Sequence, residues 1–422
     1  MFAPLSSSML SHVHLHLLPS ASCLFDEPVH VKVTGLRSRQ VVTLRARATN
    51  ERGVVFRSAA IYRADGNGEV DLCRDASLCG SYEGVEPMGL LWSMRAAAPH
   101  KYFHWSEAIS PHVVRFSVHD SVDVEDEERG VALAEATNVR HLMGEGVTRV
   151  VVHLGKYTAV LFTPPGEGQF PGLLDLSTFA SEKRASLLAN KGFMVLCMPV
   201  FYEKAANIKY VELDYFEEAL CLLKQHPKVD SDRLGVIGRC KAGDIGLSLV
   251  SFVPGVRAMV WINACSANSA VPLHYKGRQI LSSLSMDQRK VIPTSDGANI
   301  GKFVVGNPED EENQSSRIPV EKTSAHLLLL ASEDDLNFDC KAYMESIVAR
   351  LRKAGKDNVE SVCYPRAGHL LEPPYGPYCH SCVNGFISII NLWGGEPRAH
   401  AHAEVLAWRK VEEFLRSRLM LM

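Results

Sequence analysis

A chain of 422 residues with 46% hydrophobic and 22% charged content is long enough for two domains with sizeable cores, and its composition is that of an ordinary globular protein. A formal charge of −3 leaves no electrostatic footprint for nucleic acid or an anionic membrane, and the longest apolar region, residues 245–264, is broken by Pro254 and Arg257 and cannot be a membrane span. Eleven cysteines, an odd number without paired spacing, fit reduced thiols in a cytosol-like compartment better than a disulfide framework.

Residues 1–25 contain no Lys, Arg, Asp or Glu, and His12, His14 and His16 interrupt their apolar content. A signal peptide needs a basic start and an unbroken apolar core, and a mitochondrial presequence needs arginines. The segment is therefore expected to be a disordered or partly packed extension. The terminus Arg418-Leu-Met-Leu-Met422 is not of the peroxisomal S-K-L type, which leaves a cytoplasmic location. From residue 26 to 163 the pattern is β: Val29, Val31 and Val33 alternate with polar residues, as do Val42, Leu44, Ala46 and Ala48, and Gly66-Asn-Gly68 marks a turn. This predicts an all-β, immunoglobulin-like sandwich, with the acidic run Asp120–Glu128 as a solvated loop.

From residue 164 to 422 strands alternate with helices, with strands at 172–176 and 193–199 and helices near 182–191 and 211–224. An α/β domain with a mostly parallel, doubly wound sheet follows. The apolar run 234–238 leads into Gly238-Arg239-Cys240-Lys241-Ala242 and then a helix-compatible stretch, 243–252. Strand, sharp turn and helix with a thiol at the apex make a nucleophile elbow, in which small residues two before and two after the nucleophile relieve the crowded turn and the helix dipole favours thiolate.

A single cysteine between strand and helix is commonly just a small buried hydrophobe, so the motif needs partners. His326–Ala331 is an apolar strand running into Ser332-Glu333-Asp334-Asp335, and Val359–Tyr364 runs into Pro365-Arg-Ala-Gly-His369. Each ends where open α/β sheets build their sites. The order Cys240, acid, His369 is that of an α/β-hydrolase, with Asp334 and Asp335 competing as the acid. His369 would take the thiol proton and return one later, and the acid would orient the ring. Cys379-His380-Ser381-Cys382 is one C-x-x-C without a second pair, so no metal is expected, and no phosphate-cradling motif marks a bound cofactor. Pro308–Asn313 punctuates a long insertion, about 266–320, expected to wall the pocket.

Asp26-Glu-Pro-Val-His30, Glu69-Val-Asp-Leu72, Glu86-Pro-Met-Gly-Leu-Leu-Trp92, Arg184-Ala-Ser-Leu-Leu188, Asp214-Tyr-Phe-Glu-Glu-Ala219, Gly368-His369 with Glu372-Pro-Pro-Tyr375, and Trp393-Gly-Gly-Glu-Pro-Arg-Ala-His400 with Trp408 together resemble the acyl-CoA thioesterases related to bile acid-CoA:amino acid N-acyltransferase. The resemblance runs from about Asp26 to Trp408. It implies a β-sandwich ahead of an α/β-hydrolase domain that cleaves acyl-CoA through a covalent acyl-enzyme. Cys240, Asp335 and His369 fall on the family's triad positions, and CoA enters as part of the substrate with no separate cofactor.

Family members with serine at the elbow pass the acyl group to water, and the conjugating members carry cysteine and pass it to glycine or taurine. An acyl-cysteine is a thioester, more open to an amine than an ester is, and hydrolysis remains available to it. One departure stands out. The loop from Asp175 to Arg184 is shorter than the family's and has no glycine, although the second oxyanion donor normally comes from there. The Lys241 N–H would be the first donor, and the second would lie near Ser177 or Thr178. Losing one donor costs about 10²–10³ in rate, so a degenerate acyl-CoA-binding or scaffold protein is the competing reading. A dienelactone-hydrolase-like ester hydrolase is a further alternative, but that group lacks the N-terminal sandwich. No spacing encodes acyl chain length or oligomeric state.

Overall fold

The computed structural model describes residues 12–120, 131–202, 207–385 and 389–420. The chain divides into two compact units, one comprising residues up to 97 with 111–141 and 375–378, the other 98–110, 142–374 and 379 onward.

In the first unit Val41–Thr49 buries Val42, Leu44, Ala46 and Ala48 and leaves Arg47 and Thr49 exposed, the period-two pattern of a half-buried strand. It pairs antiparallel with Val55–Arg63 on one side and His112–His119 on the other, so that Leu44 faces Ala60 and Val118. This seven-stranded sheet continues through Ala132–His141 to Ser22–Leu24, and a three-stranded sheet joins His14–Leu18, His30–Thr34 and Val70–Asp71.

Two expectations are corrected here. Residues 12–25 are not a loose extension: His14–Leu18 pairs residue by residue with His30–Thr34, and Ser22–Leu24 lies parallel to Val139–His141. The buried Arg140 guanidinium fixes the segment by donating to the Phe25 and Glu27 carbonyls at 2.6 and 2.7 Å. The first unit's strands also stop short of residue 163, because residues 148–163 form a hairpin in the second unit's sheet. The expected acidic loop, apart from Asp120, and residues 1–11 lie outside the described residues.

The second unit is built on eight strands: β1 (Thr148–Leu154), β2 (Tyr157–Thr163), β3 (Phe170–Ser177), β4 (Met194–Pro199), β5 (Val229–Arg239), β6 (Ala258–Ile262), β7 (His326–Ser332) and β8 (Val359–Tyr364), in spatial order β1-β2-β4-β3-β5-β6-β7-β8. Every neighbouring pair is parallel except β1–β2 and β2–β4. The central strands are apolar throughout because helices cover both faces, and Leu173, Val236, Val260 and Leu328 are fully buried. The flanking helices are α1 (Lys183–Ala189), α2 (Asp214–Gln225), α3 (Lys241–Phe252), α4 (Cys340–Lys353) and α5 (Pro397–Leu419). Helix α2 shows the usual logic: Phe216, Ala219, Leu220 and Leu223 recur at helical spacing and face the core. Among the described residues no helix is long and apolar enough to cross a membrane.

Candidate active site

Strand β5 ends at Arg239 and helix α3 begins at Lys241, leaving Cys240 alone at the apex with φ 58° and ψ −135°. A non-glycine residue stays in that region only when its surroundings hold it there. Gly238 shows the constraint, since a Cβ there would lie 2.4 Å from the Ala242 carbonyl oxygen. The first bonds of α3 run from the Gly243 and Asp244 amides to the Cys240 carbonyl, at 2.8 and 3.4 Å, and leave the Lys241 N–H ahead of them at the helix mouth.

Strands β7 and β8 deliver the other two groups. His369 Nδ1 lies 2.6 Å from Asp335 Oδ2, and both side chains are buried. Asp335 Oδ1 accepts the backbone amides of Asn337 (2.7 Å) and Phe338 (2.9 Å), and Oδ2 also accepts the Cys340 thiol at 2.9 Å. Its neighbour Asp334 turns away and accepts the Gly395 amide, which separates two acids that sequence alone leaves in competition. Burial opposes a charge on His369, but the Asp335 carboxylate and Cys240 outweigh it and push its pKa up to about 9.

Asn337 joins the histidine to the thiol. Its Nδ2 lies 3.3 Å from His369 Nε2 and 3.9 Å from Cys240 Sγ, and its Oδ1 accepts from the buried Asn391 at 3.1 Å. The imidazole is packed between rings, with Trp393 stacked at 5.5 Å and 19° and Phe338 edge-on at 5.7 Å. Asn263 ties the two loops together, donating to the His369 carbonyl and to Ser332 Oγ, both at 2.9 Å. Gly394 is needed where that framework is tightest, because a Cβ there would meet the Asp334 carbonyl oxygen at 1.8 Å.

On the other side of the apex the glycine-free loop is fixed at its ends. Asp175 is ion-paired with Arg184, and Glu182 receives Arg149 through Nε and Nη2 at 2.8 and 2.6 Å. Thr178 Oγ1 donates to the Arg239 carbonyl at 3.4 Å, which places the loop against the elbow, and Ser177 Oγ is buried without a partner among the described residues. Beneath the elbow the Lys241 side chain is buried, with Nζ 2.6 Å from Asn268 Oδ1 and 3.7 Å from Asp244 Oδ2. Burial lowers the Lys241 pKa and raises that of Asp244, each partly countered by the other.

Cys240 and His369, expected from chain order, and Asp335, expected from chain order with the resemblance, therefore come together at the C-terminal edge of the sheet. Sequence reasoning did not find Asn337 or Cys340, although both follow Asp335 within five residues and a polar side chain so close to the candidate acid was a usable signal. Among the described residues, Asp335, Cys340 and His369 form one of two groups of three ligand-type side chains, the other being His30, Asp71 and Cys73. In the triad group every ligand atom is already hydrogen-bonded within the group.

A family model described as BAAT / Acyl-CoA thioester hydrolase C terminal matches residues 211–420, and one described as Acyl-CoA thioester hydrolase/BAAT N-terminal region matches residues 26–154. Acyl-coenzyme A thioesterase 3 of Mus musculus is 40% identical over 408 residues, covering 96% of this chain and 94% of the relative. Acyl-coenzyme A thioesterase 2, mitochondrial, of Homo sapiens is 38% identical over 410 residues, 96% of this chain and 84% of the relative. The solved acylaminoacyl peptidase of Pyrococcus horikoshii shares 14% identity across 94% of this chain and 60% of its own, with a TM-score of 0.43, a likeness too distant to carry weight. The chain belongs to the acyl-CoA thioester hydrolase/BAAT family and is an enzyme.

Proposed function

We propose that the protein cleaves acyl-CoA thioesters through an acyl-cysteine on Cys240. The Cys240 thiolate attacks the thioester carbonyl, and the oxyanion is held by the Lys241 N–H and a second donor from the Ser177–Thr178 segment. Collapse breaks the carbon–sulfur bond to CoA, whose thiolate takes the proton held at His369 Nε2. The incoming acceptor then loses its proton to the same nitrogen as it attacks the acyl-cysteine, and Cys240 leaves as thiolate. Asp335 keeps Nδ1 protonated and offsets the imidazolium charge in both halves.

The observation that carries this reading is the line from Asp335 through His369 and Asn337 to the thiol of Cys240, held with a positive φ at the strand–helix turn. The acceptor is water in a thioesterase and glycine or taurine in an N-acyltransferase, and the cysteine supports the amine. Release of free CoA, measured with and without glycine or taurine, tests both parts: Cys240→Ala should abolish release, and turnover and product unchanged by added amine would leave hydrolysis alone. We read the first unit as the family's immunoglobulin-like sandwich, and the eleven free cysteines support a cytoplasmic location.

A further inference from the structure

The Cys379-His380-Ser381-Cys382 segment has no part in the acyl chemistry, yet it is wired to the histidine. Cys382 lies on the short strand Ser381–Val383, opposite Asn391 of Ile390–Leu392. Its sulfur accepts the indole N–H of Trp393 at 3.1 Å, and that indole is the ring stacked on His369. The Trp393 backbone closes the same turn, its amide donating to the His380 carbonyl at 3.0 Å and its carbonyl accepting the His369 amide at 2.8 Å. Asn391, across from Cys382, supports Asn337.

We propose that Cys379 and Cys382 form a reversible oxidation site that takes a hydroperoxide and, as a disulfide, slows turnover by releasing Trp393 from its hold on His369. Cys382 is the attacking sulfur: against its burial, hydrogen bonds from the Cys379 thiol and the Trp393 N–H and the charge of Arg239 hold its pKa below the ordinary thiol range. Cys379 is more buried, its pKa is raised, and its Sγ rests on the Ser381 carbonyl at 3.6 Å, which suits the resolving thiol.

The Cys382 thiolate takes a hydroxyl from hydrogen peroxide, breaking the O–O bond and releasing hydroxide, and becomes a sulfenic acid. The Cys379 sulfur then attacks that sulfur and expels its hydroxyl, which leaves as water with the Cys379 proton. Two thiols and one peroxide become one disulfide and two waters, with each sulfur giving up one electron and the peroxide gaining two. Drawing the sulfurs together removes the acceptor of the Trp393 N–H.

The thiol chemistry is independent of the reading of Cys240; only its effect on turnover rests on that reading. The first arm treats the Cys240→Ser chain, and in parallel the wild type, with hydrogen peroxide and maps free thiols by iodoacetamide and peptide mass. Cys379 and Cys382 should be lost from labelling together, their peptide two hydrogens lighter, with dithiothreitol restoring both. Undiminished labelling of both overturns the proposal. The second arm follows CoA release. Oxidised wild type should lose about tenfold in kcat and recover with dithiothreitol, and Cys379→Ser, which cannot form the bond, should escape that loss. A disulfide-bearing wild type that turns over at its reduced rate, or an equal loss in Cys379→Ser, overturns the link to His369.

Discussion

Two buried carboxylates near the same cysteine face different partners. Asp244 accepts the Cys265 amide at 2.7 Å and the Ser269 hydroxyl at 2.5 Å, and it faces Lys241. Asp335 accepts two amides, the Cys340 thiol and the His369 ring. Both are fully buried, and hydrogen bonds hold each, three to Asp244 and four to Asp335. They differ in what stands opposite: Asp244 meets a lysine shut in with Asn268, whereas Asp335 meets an imidazole whose far nitrogen faces Asn337 and Cys240. On the proposed mechanism, the two acids divide according to whether the partner can hand a proton onward.

Four measurements break or sharpen that contrast. Asp335→Asn should lower kcat by about 10⁴-fold in a chain that still folds, because the ring loses its orientation and the charge that stabilises imidazolium. Asp244→Asn should instead cost about 3–5 kcal/mol in urea unfolding by stranding Lys241, with Lys241→Met/Asp244→Leu recovering most of it. A folded Asp244→Asn without turnover would erase the distinction.

The third measurement is linkage. The His369 pKa is raised in the folded state to about 9, so its stabilisation is complete below the unfolded value near 6.5 and is lost as pH climbs through about 9. Wild type should therefore lose on the order of 3 kcal/mol over that window relative to His369→Gln. The smallest effect belongs to Cys340→Ala, which removes a weak thiol donor from Asp335 and should change kcat by less than about tenfold.

The site was legible in the sequence wherever chain order and local geometry coincide. Gly238 and Ala242 announce the turn because their lack of bulk is what the turn demands, and β7 reads as an apolar run because both its faces are covered, whereas β8 is a half-buried edge strand with Ser361 exposed. What escaped depended on pairing between distant segments. Residues 148–163 read as two apolar runs, 150–152 and 159–162, about a Gly155 turn, a pattern either domain could hold, and only the register Val160 to Cys197 assigns them to the second sheet. Between His12 and Leu17, histidines alternate with apolar residues, the period of a strand, but their meaning rests on His30–Thr34 as partner. Asn337 could be suspected from its place two residues past Asp335, but its contacts with Cys240, His369 and Asn391 join segments far apart in the chain.

The conformation of Cys240 has one more consequence. The strain sits in the backbone, and the crowding falls on Gly238, Ala242 and the helix start, not on the atom beyond Cβ. Sulfur and oxygen are therefore exchangeable there without refolding the turn, so the chain stands a single atom from a serine hydrolase. The turn thus fixes where the apex side chain is presented and leaves the identity of its terminal atom open.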